Sequence, residues 1–324
     1  MNLAIIGCGL VGRKRAATLG RHNLIACADV RRELAAQLAA EHEGCEPEIE
    51  PVKLLSRTDV DAVLVCTTHD SLAPLTMAAL EAGKHVLVEK PAARTLDELQ
   101  PVREAAARGG RVVKVGFNHR FHPGLRKAHE LFADGAISEL MYIRARYGHG
   151  GRLGYEQEWR ASKDRAGGGE LLDQGSHLID LARWFAGDFS GVAGHVATCF
   201  WPMPVEDNAF LSLRTATGVT AWLHASWTEW KNLFSFEVFG RTGKLQVDGL
   251  GGSYGPERLT YYRMLPEMGP PETTTYEFPP EDRSWAAELE DFVAAIEQRR
   301  EPCGTLDDAA AVLDIAAKLY EAKR

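Results

Sequence analysis

NLAIIGCGLVGRKRAATLG, residues 2–20, decides the fold. An apolar run, Leu3–Ile6, ends in Gly7, and Gly9 and Gly12 follow at the head of a helix-like segment. Each glycine of this G-x-G-x-x-G pattern has its own physical reading. Gly7 permits a tight turn, Gly9 lets backbone approach a pyrophosphate, and Gly12 lets the helix pack close on the strand. The helix N-terminus, with Leu10 and Val11 in its first turn, offers unpaired N–H groups to phosphates. A second apolar run, 24–28, ends at Asp29, where a carboxylate accepts bonds from ribose hydroxyls and repels a 2′-phosphate. NAD is therefore favoured, with NADP the alternative that Arg31 and Arg32 would admit.

Working outward, further β-rich runs at 62–66, 85–89 and 111–116 alternate with helix-like segments near 31–42, 70–82 and 95–108. Strands apolar on both sides and separated by helices call for a parallel sheet covered on both faces. Ligands on such sheets bind outside the carboxyl ends of the strands. Thr67, His69, Glu89, Lys90 and Asn118 are accordingly expected to border the cofactor. Pro91 keeps Lys90 out of helical geometry, so its ammonium is held at a strand end, where it can polarise a substrate oxygen.

After about 118 the pattern changes. A helix near 123–134 and a strand over 139–147 precede a strongly apolar helix. Alternating strands follow at 191–201, 207–216, 218–229, 233–240, 243–248, 258–263 and 273–278, and helices at 284–300 and 305–322 close the chain. This predicts a mostly antiparallel sheet with one face buried and one left for a partner. Two domains are expected, 1–118 and 119–324.

The apolar helix lies in GGGELLDQGSHLIDLARWF, residues 167–185, where Asp173 and His177 sit four apart on one stripe. Polar groups on so apolar a helix are paired or face a cleft. Histidine is suited to take a hydroxyl proton near neutral pH, and the aspartate to orient it or bind substrate. Asp180 reads as structural, a partner for a backbone group or an arginine. No metal is expected, since D-x-x-x-H supplies two ligands and H-E-x-x-H is absent.

Residues 142–165 hold six Arg or Lys against three acids, interleaved with aromatics, in a chain of net charge −8. That local reversal suggests a site for an anionic, partly planar ligand such as a nucleotide-linked or acidic sugar. Arg144, Tyr147, Trp159 and Arg160 are its candidates, joined by His119 and Arg120. The net negative charge and lack of a basic run argue against nucleic acid and anionic membrane as partners. Six cysteines without a C-x-x-C pair read as small buried hydrophobes in a reducing compartment. With no leader and no long apolar stretch, a soluble cytoplasmic protein is expected.

Three ordered motifs, GCGLVG (7–12), ALEAGKHVLVEKP (79–91) and AGGGELLDQGSHLIDL (166–181), resemble the Gfo/Idh/MocA oxidoreductase family. The resemblance runs from residue 1 to about 187. It implies an α/β chain with an N-terminal Rossmann dinucleotide-binding domain and a C-terminal α+β domain with a mostly antiparallel open sheet. It also implies that Lys90, Asp173 and His177 form the catalytic group beside a nicotinamide, moving a hydride between NAD(P) and a secondary hydroxyl or ketone of a sugar. A cis bond before Pro91 and a homodimer or homotetramer through the open sheet face are implied too. One departure is visible: Leu72 stands where many members place a histidine near the cofactor. The alternatives are an NAD-dependent glycoside hydrolase and a non-catalytic NAD or sugar sensor.

Overall fold

The structure, a computed structural model, describes residues 1–267 and 269–322. Two compact units divide the chain: residues 1–117 with 285–313, and residues 118–284 with the chain from 314 onward.

In the first unit, β1 (Asn2–Ile6), β2 (Asn23–Ala28), β3 (Glu46–Glu48), β4 (Ala62–Val65), β5 (His85–Glu89) and β6 (Val113–Gly116) form one sheet in the order β3-β2-β1-β4-β5-β6. Every pair is parallel. The strand order reverses between β1 and β4, so their carboxyl ends, at Gly7 and Thr67, flank the crevice where such sheets take ligands. Leu3–Ile6, Ala62–Val65 and Val86–Val88 are buried, as a sheet covered on both faces requires. The edge strand β3, Glu-Pro-Glu, has no apolar run to announce it, and proline and charge are what an edge tolerates.

The sequence assigned everything after 118 to the second domain, and here the structure differs. Residues 285–313 belong to the first unit because Leu289, Phe292 and Val293 of the helix Ser284–Gln298 join its core with Leu3, Ile5, Leu38 and Leu64. On the same helix Glu288 meets Arg15 in an ion pair of 2.5 Å.

The second unit holds β7 (Leu140–Gly148), β8 (Phe189–Ala197), β9 (Asn208–Thr215), β10 (Thr220–Ser226), β11 (Leu233–Gly240), β12 (Gly243–Asp248), β13 (Arg258–Arg263) and β14 (Glu272–Glu277). Their order is β14-β13-β12-β11-β7-β10-β9-β8, antiparallel throughout except for β7 with β10. That parallel pair brings Gly148 and Ser226 side by side at one end. Along β7, Ile143, Ala145 and Tyr147 are buried while Tyr142, Arg144 and Arg146 are exposed, the period-2 alternation of a one-sided sheet. The helix Glu170–Ala186 lies on β7 and β10 and buries Leu171, Leu172, Leu178, Ile179 and Leu181.

The glycines before that helix set its start. Gly167 has φ +80, and a Cβ on Gly169 would stand 2.0 Å from the Glu206 carbonyl oxygen. Glu206 then accepts from the backbone N–H of Gly169 (2.9 Å) and Leu171 (3.2 Å) and from the Tyr320 hydroxyl (2.8 Å). A distant carboxylate thus does the work of an N-cap. Of the cysteines, Cys8, Cys27 and Cys66 are buried, whereas Cys199 is exposed because β8 has ended two residues earlier, against the expectation that all six are buried. Among the described residues no helix is long and apolar enough to cross a membrane.

Candidate functional site

The glycine turn separates protein demands from ligand demands. Gly7 has φ +96, and a Cβ there would lie 2.4 Å from the Cys66 carbonyl oxygen; on Gly12 it would lie 1.9 Å from that of Gly7. At Gly9 a Cβ would meet nothing within 4 Å, so the fold itself does not require glycine there. Space kept open over backbone at the head of a helix fits a dinucleotide pyrophosphate. Leu10 is exposed beside it and Val11 half-buried. Asp29 follows β2 and accepts through one oxygen from the Cys8 N–H (2.9 Å) and through the other from the Arg31 N–H (2.9 Å). Its carboxylate is thereby fixed against the turn, while the Arg31 side chain stays exposed with Nε 3.9 Å from it.

Thr67 follows β4, and His69 opens the helix His69–Glu81 as a buried residue, as is Leu72. Glu89 holds a different post from the cofactor-side one expected of it. It accepts from Arg15 Nε at 2.8 Å, and with Glu288 it brackets that buried guanidinium. Burial alone would lower the Arg15 pKa, but the carboxylates of Glu288 and Glu89 outweigh it and raise it. Lys90 comes next, half-buried at the end of β5, and the Lys90–Pro91 peptide is cis.

In the second unit His177 and His119 stack with ring centroids 3.7 Å apart at 23°. Tyr147 closes on both, 5.2 Å from His119 and 6.4 Å from His177, and Tyr254 lies 5.3 Å beyond it. Gln174 donates to the Tyr254 hydroxyl at 2.9 Å. Burial, then the nearby Tyr254, Asp173 and Glu170, push the Tyr147 hydroxyl pKa well up; burial carries Tyr254 to about 12. Both phenols stay neutral donors at physiological pH. Asp173 accepts from Arg160 Nε at 3.1 Å, and Arg160 stacks on Trp159 at 4.6 Å. Burial works to lower the Arg160 pKa, and the carboxylate of Asp173 overrides it, so the cation is permanent. His119, Tyr147, Trp159, Arg160, Asp173 and His177 are therefore brought together.

Three other candidates have protein partners of their own. Arg120 forms a buried two-pronged ion pair with Asp180, Nε to Oδ2 at 2.8 Å, which gives both residues a structural role. Asn118 donates to the Ser284 hydroxyl at 2.9 Å and faces His119 Nδ1 at 3.1 Å. Arg144 points outward by strand alternation and pairs with Glu237 at 2.5 Å, on the sheet face away from Tyr147. In the same stretch Arg152 meets Glu158 at 2.6 Å and Arg160 meets Asp173 at 3.1 Å. Sequence reading missed Gln174 and Tyr254. Gln174, three residues before His177 on the apolar helix, carried a signal of the same kind as Asp173, whereas Tyr254 stands in a glycine-rich loop with no local cue.

Residues 1–117 match the sequence model of an oxidoreductase family with an NAD-binding Rossmann fold, GFO/IDH/MocA, and residues 125–246 match the GFO/IDH/MocA C-terminal domain. Among curated relatives, inositol 2-dehydrogenase 2 of Saccharopolyspora erythraea is 33% identical over 68% of this chain and 64% of its own length. Levoglucosan dehydrogenase of Pseudarthrobacter phenanthrenivorans is 29% identical over 67% of this chain and 59% of its own length. The chain thus matches somewhat under two thirds of each. A solved structure titled levoglucosan dehydrogenase, complex with NADH, superposes over 99% of this chain and 96% of that one, with a TM-score of 0.88 at 24% identity, and so shares the fold.

Proposed function

The chain belongs to the Gfo/Idh/MocA oxidoreductase family, and from that premise we propose that it is an NAD-dependent dehydrogenase acting on a secondary hydroxyl of a neutral sugar or polyol. The His177–His119–Tyr147 cluster beside the Asp173–Arg160 pair carries the reading. His177 takes the alcohol proton, with its ring oriented by the stack on His119. Asp173, held by Arg160, binds or orients a neighbouring hydroxyl. Lys90, at its strand end in the first unit, is assigned to polarise the reacting oxygen. Gly7, Gly9, Gly12 and Asp29 hold NAD, which supplies the hydride acceptor.

Neutrality of the substrate is supported by the arginines. An anionic or nucleotide-linked sugar needs a cation with bonds to give, and Arg144, Arg152 and Arg160 already face carboxylates. The names of the relatives, an inositol and a levoglucosan dehydrogenase, point the same way. We also assign the outward sheet face, where Tyr142, Arg146 and Trp222 are exposed, to a homo-oligomer contact, testable by light scattering after Trp222→Glu.

The test is NADH formation across myo-inositol, levoglucosan, glucosides, glucuronate and a nucleotide-linked sugar. Turnover of a neutral member at a kcat/KM at least tenfold above the anionic ones is expected. Preference for the anionic sugars overturns neutrality. Glycoside cleavage without net NADH means the hydrolase alternative, and binding without turnover means a sensor.

A further inference from the structure

Beyond the ends of β7 and β10, an aromatic series runs outward that the proposed chemistry does not use. Two residues past Tyr147, His149 packs edge-on against Tyr155 at 5.6 Å. Tyr155 lies 5.0 Å from Trp227 and 5.8 Å from Trp201, all within a buried cluster. Trp201 then meets Phe200 at 5.2 Å, and Phe200 meets Trp230 edge to face at 4.8 Å. The buried members are explained by packing. The last two are not, with Phe200 57% and Trp230 64% exposed.

Trp230 is also held in place. Its φ is +56, a left-handed conformation that bulky side chains adopt only at a cost. Immediately before it, Glu229 N–H donates to the His149 carbonyl at 3.2 Å, and Trp201 Nε1 donates to the Trp227 carbonyl at 3.0 Å. A Cβ on Gly150, three residues past Tyr147 in sequence, would lie 3.1 Å from the Trp230 Cα, so Trp230 lies against the chain just past the end of β7. A flat, solvent-facing indole flanked in sequence by Glu229 and Lys231 matches a sugar ring, whose C–H face is apolar and whose rim is hydroxyl-rich.

We propose that Phe200 and Trp230 form a second sugar-ring subsite, so that the preferred substrate is a glycoside whose reacting ring lies at His177 and whose next ring stacks on Trp230. This rests on the dehydrogenase reading. It excludes a second copy of the chain as the occupant of this patch.

The experiment compares kcat/KM with NAD for glucose and myo-inositol against cellobiose and phenyl glucoside, in the wild type and in Trp230→Ala, Trp230→Tyr and Phe200→Ala. Trp230→Ala should lower kcat/KM about tenfold for the two-ring compounds and less than twofold for the one-ring compounds, with Trp230→Tyr restoring most of the loss. Equal losses on both classes, or none, overturn the subsite. A Trp230→Ala variant that dissociates in light scattering while keeping its glycoside kinetics assigns the patch to a second copy and also overturns it. If no sugar reduces NAD, the dehydrogenase reading fails on its own. Cellobiose binding to the NADH-loaded protein by calorimetry then decides the subsite: loss in Trp230→Ala upholds it, and binding equal to wild type, or none in wild type, overturns it.

Discussion

In the glycine turn of the first unit, the proposed binding falls to backbone N–H groups, and the glycines serve by having no side chain. Gly9 has empty space above it, and Asp29 is set by two backbone donors from its own neighbourhood. In the histidine cluster of the second unit the side chains do everything, and they arrive from separate segments: His119, Tyr147, Arg160, Gln174, His177 and Tyr254. The first kind of site is built by chain geometry over some twenty residues. The second depends on tertiary packing, so it can be damaged from far away.

The largest effect that sharpens this contrast is at His177. Replacing His177 with Ala should lower turnover by about 10³-fold, within the range usual for a lost general acid–base, while NAD affinity changes less than twofold. NADH formation and NADH fluorescence titration measure the two. A parallel fall in both would show that His177 supports the fold or the cofactor and does not serve as the base.

A test of damage from a distance is Asp207, whose carboxylate accepts from the backbone N–H of Cys199 (2.7 Å), Phe200 (2.8 Å) and Trp201 (3.0 Å). Burial by itself raises its pKa, but those donors and the Asn208 amide bring it below the usual carboxylate range. A folded pKa below the unfolded one means stability present above the unfolded value, near 4, and lost as pH falls through the folded value. Asp207→Asn should therefore cost about 2 kcal/mol at pH 7, as charge-assisted bonds do, with the deficit closing below about pH 4. Urea unfolding at pH 7 and pH 3.5 checks it, and a deficit independent of pH would assign the loss to shape alone.

The same contrast explains what could be read from the chain. The steric demands at Gly7 and Gly12 were legible because turns are local, and the long strands of both sheets announced themselves, in the first unit by apolar runs and in the second by alternation. Four candidates have in common what the sequence could not show, a protein partner remote along the chain. Glu89 meets Arg15 across 74 residues, Arg120 meets Asp180 across 60, Asn118 meets Ser284 across 166 and Arg144 meets Glu237 across 93. Strand-end position and local charge presented them as polar groups facing ligands, and tertiary structure gives each a protein partner as well. Residues 285–313 misled in the same way, since a terminal helix has no local mark of the core it will join.

Glycine substitutions probe the local site directly. Gly12→Ala places a Cβ 1.9 Å from a backbone oxygen and should cost about 1–3 kcal/mol through overpacking. Gly9→Ala places one in open space, so its melting temperature should match the wild type while NAD affinity falls roughly tenfold, about 1.4 kcal/mol. Scanning calorimetry with and without NAD separates the two. Equal thermal losses in both variants would mean that the turn is a packing device and that the open space at Gly9 has no bearing on the cofactor.

The smallest effect is the most pointed for substrate chemistry. Arg144 is half-exposed, and the buried Glu237 keeps Lys244 at 2.8 Å when Arg144 is lost, so the pair is worth about 0–1 kcal/mol once solvent screening is counted. Its removal in Arg144→Ala should leave kcat/KM within twofold for every sugar tested. Arg160→Ala should not be so mild, because the guanidinium that fixes Asp173 is lost while Asp173 stays beside the histidines. Two arginines sixteen residues apart in one basic stretch thus predict opposite outcomes, and strand alternation is the reason: Arg144 follows the outward side of β7, whereas Arg160 returns on a loop to the helix of His177. A large, anion-selective loss in Arg144→Ala would restore the charged-ligand reading of the stretch.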